Sequence, residues 1–263
     1  MSRFKKIAQK FEDRVDGIDF FETSAIAKIQ NDLLKIVDEE TKQILFLIGE
    51  PGSGKSVFLN RLPTLLQGYE TIKFDTPFFE PVDFIKTLIT RSGQKVHDFS
   101  LESMIQQATS IYKESNLFIA IDEAQLLSKP MIELIRILAD SKAFWFLLAM
   151  HRHESEMILK EPQFTSRPHK VLEMGGLTLE ELFDFIQREL QLAQEESVAR
   201  DFKKKYVKRI HRLCKGNFRE SKKLLNKLFL LMDEAQKKGR SAHTRPNGCL
   251  VTMAAIDGGL IRV

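Results

Sequence analysis

Short apolar runs without interruption recur along the first two thirds of the chain and predict buried strands. Residues 44–48, 117–121 and 144–150 are such runs, each five to seven residues long. Parallel strands that are covered on both faces have this composition. Two shorter segments, at 71–74 and 171–174, predict two more strands, because turn residues or glycines end each of them. The pattern therefore predicts an α/β fold with five strands.

Between and after these runs, apolar residues recur at the spacing of amphipathic helices. The N-terminal residues up to about 40 predict helix with a break at 16–17, and residues 101–112 predict another helix. From Thr178, whose spacing to Glu181 matches a capping box, the helical pattern continues towards the end of the chain. We expect helices there around 178–190, 198–213, 219–236 and 250–256.

The stretch with the strongest chemical signal lies between the first predicted strand and the helix that follows it. It fits the pattern G-x-x-x-x-G-K-[ST] without a substitution. Its glycines allow backbone N–H groups to turn inward on the phosphates of a nucleotide, beside the positive end of the helix. Lys55 is expected to reach the β- and γ-phosphates, and the Ser56 hydroxyl is expected to ligate Mg²⁺. The motif predicts a site for ATP and Mg²⁺. Its residues, with the next helical residue, are Gly49, Glu50, Pro51, Gly52, Ser53, Gly54, Lys55, Ser56 and Val57.

Two carboxylates, Asp122 and Glu123, follow the apolar run at 117–121. In an open α/β sheet, ligands bind at the carboxyl ends of the strands. Asp122 is therefore expected to hold Mg²⁺ through its water shell, and Glu123 is expected to polarise the water that attacks ATP. The alternative is that both carboxylates merely end the strand and lie in a loop that is exposed to solvent. The P-loop upstream favours the catalytic interpretation.

Two histidines and an arginine are further candidates. His151 follows the run at 144–150 and is the first polar side chain there in position to sense the γ-phosphate. His153 lies two residues further on, but no third metal ligand is obvious, so we expect it in a solvated loop. Arg167 lies in a predicted loop and is expected to be exposed.

Charge is unevenly distributed along the 263 residues. The formal net charge is +4, whereas residues 200–240 contain fifteen Lys and Arg against four Asp and Glu. This basic region is a candidate contact for DNA phosphates. The alternative is a solvated outer helix face, and the scarcity of aromatic residues argues against base stacking.

The remaining composition predicts a cytoplasmic protein. Cys214 and Cys249 lie far apart in the sequence and predict reduced thiols. The sequence shows no signal peptide and no apolar segment of transmembrane length. We therefore expect contact with the inner membrane only if a partner recruits the protein there.

Four motifs together resemble those of the AAA+ ATPases. They are the P-loop, the strand end at 121–125, the segment 172–182 and the segment 216–225. Within AAA+, the chain resembles the ExeA (GspA) type, which is found with secretion and pilus machines, and the related MuB- and TniB-like transposition ATPases. The resemblance covers about residues 15–235.

The glycines at 175–176 end the last predicted strand and place a domain boundary there. It separates a nucleotide-binding α/β domain at 1–175 from a small α-helical lid domain with the C-terminal segment at 176–263. The resemblance implies the sheet order 5-1-4-3-2. It also implies a homo-oligomer, either a ring or a filament, in which Arg167 is the arginine finger that acts in trans on a neighbouring subunit. Arg219 takes the position of sensor 2. His151 stands at sensor 1, where the family more often has Asn, Thr or Ser.

We therefore expect an ATPase, a P-loop NTP hydrolase that couples its nucleotide state to assembly or remodelling of a macromolecular machine. A secretion, pilus or DNA-uptake system is the leading candidate. The alternatives are a DNA-binding ATPase of transposition or replication, and a nucleotide-gated oligomerising switch with little hydrolysis. A small-molecule kinase is disfavoured, because it would need a basic lid loop in place of the acidic pair and the helical bundle. The residues expected to carry hydrolysis are Lys55, Glu123, His151, Arg167 and Arg219.

Overall fold

The protein divides into two compact units in a computed structural model that describes residues 2–12, 20–76, 80–160 and 169–261. One unit, here called the helical unit, contains both ends of the chain together with three residues of the P-loop. The other, here called the α/β unit, contains the sheet. The helical unit comprises Met1–Thr23, Gly52–Gly54 and Gly175–Val263, and the α/β unit comprises Ser24–Pro51 and Lys55–Met174.

Five parallel strands form the sheet of the α/β unit. They are β1 (Ile44–Gly49), β2 (Glu70–Phe74), β3 (Leu117–Ile121), β4 (Trp145–His151) and β5 (His169–Met174). Their order across the sheet is β2-β3-β4-β1-β5. Read from the other edge, this is the order 5-1-4-3-2, and that prediction is confirmed.

The described helices cover the sheet in one unit and form a bundle in the other. They are α1 (Arg3–Lys10), α2 (Ser24–Glu39), α3 (Lys55–Asn60), α4 (Leu62–Leu65), α5 (Pro81–Arg91), α6 (Leu101–Tyr112), α7 (Lys129–Asp140), α8 (Arg152–Leu159), α9 (Leu179–Leu192), α10 (Glu196–Asp201), α11 (Lys204–Cys214), α12 (Phe218–Lys237) and α13 (Gly248–Asp257). Within the described ranges, every helix is too short or too polar to cross a membrane.

Strand β4 and the helical stripe at 198–213 are among the elements that differ from the predicted bounds, and His153, expected in a loop, lies on α8. His151 is the last residue of β4, because β4 continues to pair with β1 up to Gly49. The apolar stripe at 198–213 forms two helices, α10 and α11, and the chain leaves the helical conformation at Phe202 (φ −81°, ψ 77°). Since only 1% of Phe202 is exposed, this break coincides with burial of its ring.

The position of each strand in the sheet explains how apolar its sequence is. β1 lies between β4 and β5 and is buried at all six positions. β3 is likewise buried at all five. Both strands are continuous apolar runs because helices cover both faces of the sheet. The edge strands β2 and β5 are only partly buried and include charged residues.

Lys42 ties the amino-terminal end of β1 to two neighbouring segments. Its ammonium group donates to the backbone carbonyl of Ser115, and to that of Ala143 at 3.1 Å. Partial burial lowers the pKa of Lys42, and the Glu114 carboxylate opposes this shift. Since Ser115 precedes β3 and Ala143 precedes β4, Lys42 connects the starts of the three strands whose other ends carry the candidate site.

Helix α1 packs within the helical unit, although the sequence pattern groups it with the nucleotide-binding domain. The side-chain amide of Asn226 in α12 donates to the carbonyl of Ala8 at 2.8 Å. The ring of Phe11 stacks on that of Phe229 with 5.5 Å between centroids. The N-terminal residues therefore help to bury one side of α12.

A tight turn sets the start of α12. Gly216 has φ +73°, and a Cβ there would lie 2.7 Å from the carbonyl oxygen of Leu177. The same segment accepts a hydrogen bond, because the Leu177 N–H donates to the Gly216 carbonyl at 2.8 Å. Only glycine combines this backbone conformation with this close approach.

The two cysteines are free thiols that differ in accessibility. Cys214 is buried, and burial raises the pKa of its thiol to about 11. Cys249 is exposed. Cys214 therefore acts as a small apolar residue of the bundle.

Candidate nucleotide-binding site

The P-loop connects β1 to α3. Gly49 ends β1 and Lys55 begins α3, so the motif has the strand–loop–helix setting that a phosphate site requires. Gly52 and Gly54 have φ of +79° and +103°. Residues with a Cβ rarely adopt these values, and they allow the backbone N–H groups to point into one concavity.

Lys55 is held beneath this loop. Only 6% of the residue is exposed, and its ammonium group donates to the carbonyls of Gly49 at 2.8 Å and Glu50 at 3.2 Å. A buried ammonium group needs such partners, because its desolvation is otherwise costly. The side chain is therefore at the loop from which it would contact phosphate oxygens.

The loop also has hydrogen-bonding capacity that the described residues do not use. The Oγ atom of Ser53 is buried and has no hydrogen-bond partner among the described residues. Leaving a buried hydroxyl unpaired costs about 1–3 kcal/mol. A phosphate oxygen would accept its hydrogen bond, and the start of α3 favours an anion at the same place. The residues present therefore fit the phosphates of ATP.

Asp122 and Glu123 lie at the carboxyl end of β3. Only 5% of Asp122 is exposed, and its backbone N–H donates to the Phe74 carbonyl at 2.9 Å. Its Oδ1 accepts the N–H of Glu123 at 3.0 Å. Glu123 itself has φ 50° and ψ 37°, the left-handed conformation. For a residue with a Cβ this costs roughly 1–2 kcal/mol.

The carboxylate of Glu123 has two polar neighbours. Its Oε2 lies 3.6 Å from Nε2 of His151 and accepts a hydrogen bond from the side-chain amide of Gln125. The Oε1 atom of Gln125 is buried and has no hydrogen-bond partner among the described residues. Gln125 is a site residue that the sequence motifs did not predict. Its only signal was a polar residue two positions after Glu123, among apolar ones.

The strand register brings this carboxylate to the P-loop. β4 is the neighbour of β1, and His151 lies opposite Gly49, the first P-loop residue. Contacts therefore run from Gly49 through His151 to Glu123. The structure brings these three predicted residues together at the carboxyl ends of neighbouring strands.

Arg152, also unassigned from sequence, connects the P-loop to β5. Its Nη2 lies 3.0 Å from the carboxylate of Glu173, and its Nε lies 3.7 Å from that of Glu50. The sheet explains this cluster, since β1 pairs with β4 on one side and with β5 on the other. All three side chains are at least 43% exposed, so these ion pairs are worth about 0–1 kcal/mol each.

Arg219 lies in the first turn of α12, within the helical unit. Asn217 caps this helix, since its side chain accepts the N–H of Glu220 at 3.0 Å. The backbone N–H of Arg219 donates to the carbonyl of Gly52 at 3.3 Å, and both residues belong to the helical unit. A P-loop residue therefore lies directly against the start of this helix.

Arg167 and His153 are two further residues that were singled out from the sequence. Arg167 lies outside the described residues, so its role stays a prediction. His153 is exposed on α8. The described residues contain no group of three or more His, Cys, Asp or Glu side chains that could hold a metal ion. Mg²⁺ that is bound with ATP needs few protein ligands, because phosphate oxygens and water molecules complete its coordination shell. The oxygen atoms of Ser56 and Asp122 are sufficient as such ligands.

Comparison with family models matches residues 37–159 to the AAA domain. The match covers the P-loop together with Asp122 and Glu123. A comparison with curated proteins found no match.

Solved structures of similar fold include two ORC proteins and a Walker-type ATPase. The ORC2 protein of Aeropyrum pernix, in ADPNP–ADP complexes, is 13% identical, with TM-score 0.60 over 97% of this chain and 72% of that chain. The ORC1 protein of the same organism, in complex with DNA, is 16% identical, with TM-score 0.57 over 96% and 69%. The Walker-type ATPase PABY2304 of Pyrococcus abyssi is 13% identical, with TM-score 0.57 over 96% and 89%.

At these identities the structural likeness bears on the fold alone. The fold that is compared includes the five-stranded sheet and the helices that follow it in the chain. Residues 37–159 are therefore similar to an AAA domain, and the chain has the AAA+ P-loop fold that its motifs implied.

Proposed function

We propose that the protein binds ATP with Mg²⁺ at the P-loop and hydrolyses it, with Glu123 as the general base. The observation that carries this proposal is the position of the Glu123 carboxylate, 3.6 Å from His151, which itself lies opposite Gly49 of the P-loop. A carboxylate at that place is in reach of a water beside the last phosphate. The AAA domain match supports the same reaction class.

In this proposal, the P-loop and α3 bind and orient the phosphates. The backbone N–H groups around Gly52 and Gly54 and the ammonium group of Lys55 would contact phosphate oxygens. When bound with ATP, Mg²⁺ offsets negative charge on the phosphates, and Ser56 and Asp122 would hold it. Arg219 would add a positive charge, as sensor 2.

In this proposal, Glu123 accepts the proton. Its carboxylate would take a proton from the attacking water, and the water oxygen would bond to the γ-phosphorus as the bond from that phosphorus to the β–γ bridging oxygen breaks and ADP leaves. Gln125 and His151 both contact Oε2, so they limit the orientations that the carboxylate can take. His151 would in addition contact the γ-phosphate, as sensor 1.

We further propose that hydrolysis is coupled to a macromolecular partner. A homo-oligomer with Arg167 acting in trans belongs to this proposal. The narrower resemblance to the ExeA type, with a secretion, pilus or DNA-uptake machine, stays a prediction. The alternative is a DNA-binding ATPase of transposition or replication, and the likeness to an ORC1 structure in complex with DNA is compatible with it.

The test compares phosphate release by the wild type and by Glu123→Gln. The amide keeps the shape of the side chain but cannot take a proton. We expect ATP binding near the wild-type level and phosphate release lower by at least about 100-fold, the usual contribution of a general base. Glu156→Gln is the matched control, since Glu156 is an exposed carboxylate on α8 without a proposed role.

Two outcomes would change the conclusion. Wild-type turnover in Glu123→Gln would overturn the assignment of the base. ATP-dependent oligomerisation of the wild type without measurable phosphate release would instead favour the nucleotide-gated switch. Light scattering with and without ATP, beside the turnover assay, separates the two.

A further inference from the structure

The basic region at 200–240 consists of two helices whose positive charges differ in their surroundings. On α12, ion pairs neutralise several lysines: Lys223 pairs with Glu220 at 3.1 Å, and Lys227 pairs with Asp257 at 2.8 Å. Lys238, just after the helix, lies 3.8 Å from Glu234. The charge on this helix is therefore largely matched by acidic groups.

Helix α11 has no such compensation. Its eleven residues include five Lys and Arg and no Asp or Glu. Lys208, Arg209 and Arg212 are exposed, as are Lys203 and Lys215 at its two ends. None of these five side chains has an acidic partner among the described residues, and the nearby Asp201 pairs instead with Arg245 at 3.6 Å.

The exposed side of α11 is also without large apolar residues. Val207, Ile210 and Cys214 point into the bundle and are buried. Among the described residues of this helix, none is an exposed large hydrophobic residue. Its aromatic residue, Tyr206, is partly buried and lies under the ammonium group of Lys205 at 5.0 Å.

We propose that this outer face of α11, which carries Lys208, Arg212 and Lys215, binds the phosphate backbone of duplex DNA. Protein-binding surfaces have an apolar or aromatic centre, which this face lacks. Single-stranded nucleic acid is bound by exposed aromatic rings on which bases stack, and this face has none among its described residues. A row of unpaired Lys and Arg charges remains, and it suits phosphates independently of sequence.

The dimensions of the helix agree with this partner. Eleven residues span about 16 Å, and an α-helix with its side chains is about 10–12 Å wide. The major groove of duplex DNA is about 12 Å wide, so an exposed helix can lie along it or across its edge. The inference adds a partner class to the proposed function and does not depend on ATP hydrolysis.

The test measures binding of a fluorescein-labelled duplex of arbitrary sequence to the full chain by anisotropy, at several salt concentrations. The variant Lys208→Gln/Arg212→Gln/Lys215→Gln removes three charges from α11. We expect at least a tenfold loss of affinity at low salt. The slope of log affinity against log salt should become about three units less steep, because each removed charge leaves one phosphate that the protein no longer neutralises.

The matched control is Lys223→Gln/Lys227→Gln/Lys238→Gln. It removes the same three charges, but from positions that have acidic partners, so we expect less than a threefold change in affinity. Equal losses in both variants would mean that net charge alone drives binding, and would overturn the assignment to α11. No binding of the duplex by the wild type would overturn it as well.

Two further measurements separate this proposal from others. Binding of a poly-glutamate peptide at the same affinity, with the same dependence on α11, would assign the face to an acidic protein and overturn the DNA proposal. Phosphate release is measured for every variant and should stay at the wild-type level. If the wild type binds the duplex through α11 but releases no phosphate, the proposed ATPase function fails and this inference stands.

Discussion

The imidazole Nε2 of His151 lies 3.6 Å from the carboxylate Oε2 of Glu123, at the adjoining ends of β4 and β3. Their side chains are 25% and 41% exposed, so the pair is open to a ligand. Because His151 also lies opposite Gly49, it is the described side chain that connects the candidate base with the P-loop. In the proposed mechanism, this contact would couple the orientation of the Glu123 carboxylate to the presence of a phosphate.

Replacement of His151 by Ala should therefore lower kcat by about ten- to 100-fold, which is about 1.4–2.7 kcal/mol in the barrier. ATP affinity should stay within about twofold, because the P-loop contacts remain. His151→Asn should recover part of the loss, since Asn can also donate to a phosphate. Steady-state phosphate release and ATP titration measure the two quantities. His153→Ala is the control, and equal losses in both variants would contradict the role of His151.

Replacement of Gln125 by Ala should lower kcat about tenfold and leave KM unchanged. The reason is that Gln125 restrains the Glu123 carboxylate by a hydrogen bond and has no predicted contact with ATP. The unfolding temperature should hardly change, since the variant also removes a buried oxygen that has no partner among the described residues. An increase in KM at constant kcat would show instead that Gln125 acts on binding. Gln236→Ala, an exposed position on α12, is the control.

Two glycines of similar backbone conformation should respond differently to replacement by Ala. Gly52 has φ +79°, and a Cβ there would lie 2.6 Å from Cβ of Arg219. Gly68 has φ +87°, and a Cβ there would meet nothing within 4 Å among the described residues. Gly68→Ala should cost about 1–2 kcal/mol of stability from backbone strain alone. Gly52→Ala should cost more and should weaken ATP binding, because the P-loop must move. Thermal unfolding and ATP titration test this, and equal effects would contradict it.

Asp233 should make the helical unit less stable in acid. Hydrogen bonds from Lys237 and Ser2 lower the pKa of Asp233, and burial opposes them. A carboxyl group whose pKa is lower in the folded state stabilises the fold above its unfolded pKa, and this contribution is lost as the pH falls through the folded pKa. Asp233→Asn should therefore cost about 1.5–3 kcal/mol at pH 7.

The difference between wild type and Asp233→Asn should shrink as the pH is lowered from about 5 to below the folded pKa. Urea unfolding across this range measures it, and the comparison of the two proteins cancels the contributions of other carboxyl groups. A difference that is constant with pH would contradict the ion pair. Glu234→Asn at the neighbouring exposed position should have a small effect throughout.

The sequence was sufficient to locate the strands and the P-loop, for a physical reason. Strands covered on both faces must be continuously apolar, so 44–48 and 117–121 stand out in the sequence. The phosphate loop needs glycines at fixed offsets, so its spacing is visible as well. The order of the strands came from the family resemblance, since periodicity does not encode which strands are neighbours.

Contacts between distant residues were not visible in the sequence. The apolar stripe of α1 shows that one side is buried, but not that the helix and the residue after it lie against Asn226 and Phe229. Gln125 was overlooked because its contact with Glu123 depends on a left-handed backbone, which the residue type did not indicate. The pairing of Lys223 with Glu220 follows from helical spacing, whereas the pairing of Lys227 with Asp257 of α13 was visible only in the structure.

The left-handed backbone at Glu123 has a consequence for how this protein changes under selection. Glycine adopts that conformation without steric penalty, so Glu123→Gly relieves roughly 1–2 kcal/mol of strain while it removes the carboxylate. A screen for heat resistance alone would therefore enrich a variant that lacks the proposed general base. The presence of glutamate at a position whose backbone favours glycine is the choice that a requirement for chemistry, rather than for folding, would make.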